Sequence, residues 1–143
     1  AASGDDDLPL VVCGDPRAGC HPVHESVLGE LMARILNETR GTELASEARW
    51  ARRPWERMRG LLGASSLPAG QGLIFPRVGA IHTCFMRFAI DIVFLDRDDT
   101  VLKTGEGLSP FRFTAARRAR TCLELPAGTV GRTGTQVGDQ ITF

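Results

Sequence analysis

The residues best suited to chemistry lie in one stretch, Ala80 to Asp96, the densest apolar run of the chain. Its polar members are His82, Cys84, Arg87 and Asp91. A polar group set into an apolar strand must find a partner or cost on the order of a few kcal/mol. His82 is the one histidine beyond the first 24 residues, which makes it the acid–base candidate. Cys84 follows two residues on and would share a strand face with it, the composition of a Cys–His nucleophilic couple. Asp91 could serve His82 in place of Cys84, or pair with Glu124 as two carboxylates of the kind that act on glycosides. No Gly-rich nucleophile elbow or phosphate-binding loop accompanies them. The simpler reading makes His82 a hydrogen-bonded core residue, and Cys84 and Cys122 small buried hydrophobes.

A second constellation is Cys13, Cys20, His21 and His24. These are zinc-ligand types, but C-x6-C followed directly by H-x2-H departs from the usual short ligand pairs. A Cys13–Cys20 disulfide or free thiols in a loop are the alternatives. No other cofactor is implied. A third feature is the run of five arginines between Arg49 and Arg59, with Trp55 among them. It could hold a phosphate or carboxylate, or be a solvated helix face.

The elements that must position these residues sit in a chain of 143 residues, the size of one domain with its own core. No apolar run approaches the length of a membrane span. Leu8–Val12 is too short, and too acidic in its flanks, for a signal-peptide core. The cytoplasm is therefore the expected compartment over export. Net charge is zero, yet residues 1–48 carry nine acids against three arginines, and the remainder carries the compensating positive charge. An acidic arm on a basic body suggests docking within the chain or a partner of matching charge. The neutral balance argues against a dedicated nucleic-acid binder.

His24 to Arg40 reads as an amphipathic helix, with Val27, Leu28, Leu31, Ile35 and Leu36 at helical steps and Gly41 at its end. Thr42 to Ala51 alternates weakly, as an opening strand. A short helix is expected from Pro54 to Gly63, with Trp55, Met58, Leu61 and Leu62 on one face. Leu73–Phe75 reads as a buried strand, and Ala80–Phe85 and Ile90–Leu95 as two more. The second of these is apolar on both faces apart from Asp91, hence central. The turn Asp96–Asp99 returns it as a hairpin through Thr100–Thr104. Gly105 to Arg120 reads as an irregular connection, with Pro110, Phe111 and Phe113 packing down and its arginines exposed. Thr121–Leu125 and Asp139–Phe143 are the remaining strands, with a glycine-rich loop over Gly131–Gly138. Short strands between Gly and Pro turns indicate a mainly-β sandwich or small barrel, with one short internal helix and an N-terminal amphipathic helix.

Four pieces in order carry a family resemblance: Arg57-Met58-Arg59-Gly60-Leu61-Leu62-Gly63, His82 to Asp96, Leu123-Glu124-Leu125-Pro126-Ala127-Gly128, and Gly138-Asp139. From Thr42 to Phe143 the chain resembles the domain of unknown function 192 family, although Ala89 stands where many members have proline. The resemblance implies a compact jelly-roll-like β fold over 42–143, with 1–41 a separate arm, and brings no established activity. Among the positions that match, Arg59, Arg87, Asp91, Glu124 and Asp139 could form an ionic network that fixes the fold, or Arg59, Met86, Arg87, Glu124 and Asp139 could line a ligand site. The function expected is a non-enzymatic small-ligand or protein-binding module with an arginine-lined site for a small anion or a partner's peptide. The alternative is a small hydrolase or transferase using His82 with Cys84 or Asp91.

Overall fold

The computed structural model describes residues 32–53 and 61–143, and among these it forms nine short strands and one helix. The strands are β1 (Met32–Asn37), β2 (Thr42–Trp50), β3 (Gln71–Pro76), β4 (Ala80–His82), β5 (Ile90–Leu95), β6 (Val101–Leu108), β7 (Phe113–Ala115), β8 (Thr121–Pro126) and β9 (Ile141–Thr142). The helix, α1, spans Thr129–Thr133. Seven strands form one curled sheet in the order β6-β5-β8-β3-β2-β1-β9, and β4 pairs with β7 in a separate two-stranded flap. The mainly-β class expected from the sequence is what the chain adopts.

β5 lies between β6 and β8, and all six of its residues are buried. Strand side chains alternate between faces, so this one strand feeds two cores. Val93 and Leu95 join Ile35, Leu44, Ile74, Leu123, Leu125 and Val130 on the helix side of the sheet. Ile90, Ile92 and Phe94 join Leu73, Phe75, Ile81, Met86 and Cys122 on the flap side. A strand covered on both faces must read as a continuous apolar run, as Ile90–Leu95 does. The hairpin to β6 forms as expected, its turn held by Asp96 Oδ1, which accepts from the Asp98 and Thr100 amides at 2.8 and 3.0 Å.

The two ends of the sheet also meet. Thr100, just before β6, bridges Gln140, just before β9. The Val101 amide donates to Asp139 at 2.9 Å, the Gly138 amide to Val101 at 2.8 Å, and the Ile141 amide to Asp99 at 3.0 Å.

Several expectations are corrected. Met32–Asn37, inside the expected helix, is a strand that pairs antiparallel with both β2 and β9. Gly41 takes a φ of 64°, which suits a β1–β2 hairpin loop as well as a helix end. Pairing with strands distant in sequence then decides the outcome over local periodicity. The rest of that expected helix, 24–31, lies outside the described residues, as do the Cys13, Cys20, His21 and His24 loop and positions 54–60 with Arg59. The strand expected over Ala80–Phe85 ends at His82, and Cys84 and Phe85 form a turn. The connection after Gly105 is more ordered than expected, since β6 runs on to Leu108 and β7 follows. The loop expected over Gly131–Gly138 starts inside α1, which opens and closes on left-handed glycines, Gly128 at φ 89° and Gly134 at 67°.

Candidate functional site

Of the expected ionic network, the described members Arg87, Asp91, Glu124 and Asp139 are dispersed and do not meet one another. Asp91 and Glu124 lie on adjacent strands, where Asp91 pairs with Leu125 and Ile92 with Glu124. The two carboxylates therefore leave opposite faces of the sheet. Asp91, fully buried, accepts from the Gly107 amide at Oδ1 and the Val130 amide at Oδ2, both at 2.8 Å. Gly128 precedes α1 without a side-chain cap, so Asp91 satisfies an amide of the helix's first turn from across the fold. That uses both oxygens of Asp91 and explains its place in the sequence.

Glu124 faces the flap side, flanked laterally by Ile92 and Leu73. Its Oε2 is buried without a hydrogen-bond partner among the described residues. Burial pushes its carboxyl up to about 7. Two residues along the same face, burial raises the Cys122 thiol well above its usual value, and the Glu124 carboxylate adds to the effect. A thiol held protonated is a poor nucleophile.

Asp139 belongs to a polar clasp that sequence reasoning did not assemble. Its Oδ2 accepts from Asn37 Nδ2 at 2.9 Å, Arg40 Nε at 3.0 Å and the Gln136 amide at 2.9 Å. Fully buried Asn37 also donates to Thr135 Oγ1 at 3.2 Å and accepts from the Arg40 amide at 3.0 Å. Burial pulls the Asp139 carboxyl upward, but the bonds from Asn37, Arg40 and Gln136 outweigh it, and the net displacement is down. Gly138, at φ 94°, provides the turn that aims Asp139 inward. The cation that meets this carboxylate is Arg40, and no signal in the sequence ties together two residues 99 apart.

The basic run after Arg49 is engaged locally where it is described. Arg52 lies 5.1 Å above the Trp50 ring. Arg49 and Glu47 together line a cavity of about 320 Å³ floored by Leu61, Leu67 and Leu73.

The flap gathers the remaining candidates. β4 and β7 pair Ile81 with Thr114 and His82 with Phe113. Ile81 and Met86 turn inward into the flap-side core, while His82, Arg87 and Phe113 turn to solvent. Cys84 is half-buried in the turn between. His82 and Cys84 thus do not share a strand face, and no hydrogen bond joins them to each other or to Asp91 among the described residues. Asp91 is separated from both by the thickness of the sheet.

Thr83 fixes the outer edge of the flap. It is fully buried, and its Oγ1 donates to the Ser109 carbonyl at 2.7 Å and accepts from the Arg112 amide at 2.9 Å. Its carbonyl accepts from the Phe111 and Met86 amides at 3.0 and 3.2 Å. These bonds hold Phe85 and Phe111 at φ 64° and 59°, in edge-to-face contact at 5.8 Å. Phe85, Phe111 and Phe113 are 74%, 65% and 72% exposed. The inward packing expected of Phe111 and Phe113 is therefore reversed, because β4–β7 register assigns the inner position to Thr114 and the turn at Phe111 points its ring out.

The two segments that carry those rings are basic. Residues 77–89 and 109–120 contain six arginines and no acid, and all six are exposed. Lys103 adds to them by donating to Thr114 Oγ1 and the Ala115 carbonyl, both at 3.0 Å. The remaining residues carry eleven basic against seventeen acidic groups. A patch of one sign on a neutral protein attracts and orients partners of the other sign.

No three His, Cys, Asp or Glu side chains are grouped to hold a metal among the described residues, and none of the helices there is long and apolar enough to cross a membrane.

Residues 35–143 match the profile of the domain of unknown function 192 family, described as Uncharacterized ACR. The chain is 33% identical over 116 residues to a UPF0127 protein of Pyrococcus furiosus, covering 76% of this chain and 97% of that one. A UPF0127 protein of Thermococcus sibiricus is 29% identical over 114 residues, covering 76% and 73%. A solved structure of a protein of unknown function from Novosphingobium aromaticivorans matches with a TM-score of 0.70 at 23% identity. The match covers 87% of this chain and 94% of that chain, and at that identity it shows the shared fold alone.

Proposed function

For this chain, which belongs to the domain of unknown function 192 family, we propose a non-enzymatic binding module whose recognition surface is the outer face of the β4–β7 flap and whose partner is anionic. The observation that carries this reading is the flap's composition: six exposed arginines, no acid and three exposed phenylalanines on a chain of zero net charge. Such a surface concentrates anionic partners by its field and adds apolar contact area where they dock. The arginine-lined site of the sequence reading is thus retained but relocated. Arg87 belongs to it, whereas Glu124 and Asp139 serve the interior.

The alternative, a hydrolase or transferase using His82 with Cys84 or Asp91, has less support. Asp91 spends both oxygens on backbone amides across the sheet, and His82 stands at the surface apart from Cys84. A labelled poly-glutamate chain followed by anisotropy tests the binding reading. The wild-type chain should bind at low ionic strength and release at high salt. The double variant R112E/R117E should bind at least about tenfold more weakly, two reversed charges each acting through the summed field. Equal binding by both proteins, or no binding by either to this or any other polyanionic probe, would overturn the reading.

A further inference from the structure

We infer that the anionic partner is a lipid bilayer surface, with Phe85, Phe111 and Phe113 entering the boundary between headgroups and acyl chains while the flap arginines pair with anionic headgroups. This rests on the flap-binding reading above and names the surface it binds.

The argument starts from the rings. Three phenylalanines held in water are an uncompensated apolar area, and phenylalanine has no polar group with which to justify its exposure. Phe85 and Phe111 also occupy left-handed backbone positions, φ 64° and 59°, where bulky L-residues are disfavoured and asparagine or glycine is usual. Thr83 nevertheless pins both turns so that the rings project together at the tip. The projecting groups are hydrocarbon, and the medium that accepts hydrocarbon beside dense positive charge is an anionic membrane interface. Each cation close to such a surface contributes about fivefold in affinity. An apolar insertion plus a basic face supplies the two signals that stable peripheral attachment requires.

Other anionic or apolar partners fit less well. Single-stranded nucleic acid stacks bases on open ring faces, but Phe85 and Phe111 meet at an interplanar angle of 71°, the edge of one against the face of the other. A second copy of the chain would bring six arginines against six.

Co-sedimentation of the full chain with vesicles provides the test. Vesicles of phosphatidylcholine with 30% phosphatidylglycerol should pellet the protein, and pure phosphatidylcholine should pellet at least about 25-fold less, the equivalent of two cations' contribution. The variant F85N/F111N uses a residue at ease with positive φ, so its fold should be kept, as checked by thermal unfolding. It should lose at least about tenfold in binding to the anionic vesicles, as removal of two inserted rings implies. A Phe111→Trp variant should show emission quenched by lipids brominated on the acyl chain. Vesicle binding unchanged in F85N/F111N, or no quenching, would overturn insertion. Poly-glutamate or single-stranded DNA bound without vesicle binding would overturn the lipid inference and leave the anionic-partner reading standing. Binding to none of the three would overturn both.

Discussion

Asp91 and Glu124 stand one residue out of register on neighbouring strands, and their carboxylates leave opposite faces of one sheet into different interiors. Asp91 enters the helix side and meets two amides. Glu124 enters the flap side, where its Oε2 meets none among the described residues. Two acids that look alike in the sequence are thus an anchor and a buried titratable group, and substitutions should separate them.

Asp91→Ala should destabilise the chain by about 2–4 kcal/mol, since it strands the buried Val130 amide and frees the more accessible Gly107 amide, both of which now donate to a carboxylate. Urea unfolding measures this as a lower midpoint at unchanged slope. A variant as stable as wild type would show that α1 and Gly107 find other acceptors.

Glu124 should impose a pH dependence of definite sign. Its folded-state carboxyl is raised from 4.5 to about 7 by burial, so between those values the folded chain keeps a proton that the unfolded chain has lost. The stability it contributes is full below about pH 4.5 and declines as pH rises to about 7. Glu124→Gln keeps the shape of the neutral acid and removes the titration. The variant should match wild type near pH 4.5 and exceed it by roughly 1–3 kcal/mol at pH 8. A stability difference that stays flat between those pH values would refute the assignment.

Asn37→Ala should cost about 1–3 kcal/mol, because it removes a donor to Asp139 and the acceptor for the Arg40 amide in a buried clasp. Asp139→Asn acts on the acid limb. The lowered carboxyl of Asp139 gives stability that is present above 3.8 and lost as pH falls through its folded value. Acid unfolding of D139N should accordingly be shallower than that of wild type, and identical acid limbs would remove the clasp from the account.

Gly105→Ala tests packing between β5 and β6. A Cβ at Gly105 would sit 2.8 Å from Ile92 Cγ1 and 3.2 Å from its Cδ1, too close without a shift of Ile92 in the flap-side core. The expected loss is about 1–3 kcal/mol. Thermal unfolding of G105A, Ile92→Ala and the double variant should show a combined loss smaller than the sum of the single ones, and additive losses would mean the strand edge moves instead.

What could be read from the residues follows the range of the interactions that decide them. The β5–β6 hairpin was legible because an apolar run, the Asp96–Asp99 turn and the returning strand are all local. β3 and β8 announced themselves by apolar character that long-range pairing merely uses. β1 did not, because Ile35 and Leu36 fit a helical stripe and Gly41 marks either kind of ending. Its neighbours β2 and β9 settle the choice, and β9 lies about a hundred residues away in sequence. Asp91 and Asp139 were recognisable as special, but their partners were not. Backbone amides carry no sequence signature, and Arg40 reads as a solvated arginine until the sheet brings it to Asp139. The flap inverted a rule that usually holds, that phenylalanine goes inside. Its six arginines without an acid were the legible signal, divided between two segments that only the β4–β7 pairing joins.

The bridge between Thr100 and Gln140 has a consequence for biogenesis. It joins the outermost strands, β6 and β9, so that exposed rims are sealed at that end. Because the seal is made by residues 138–142, an elongating polypeptide must carry an open ribbon with unpaired rims until that segment leaves the ribosome. Open rims of this kind template aggregation. A chain halted before Gly138 should therefore depend on chaperone shielding, with solubility gained abruptly over the last few residues that complete β9.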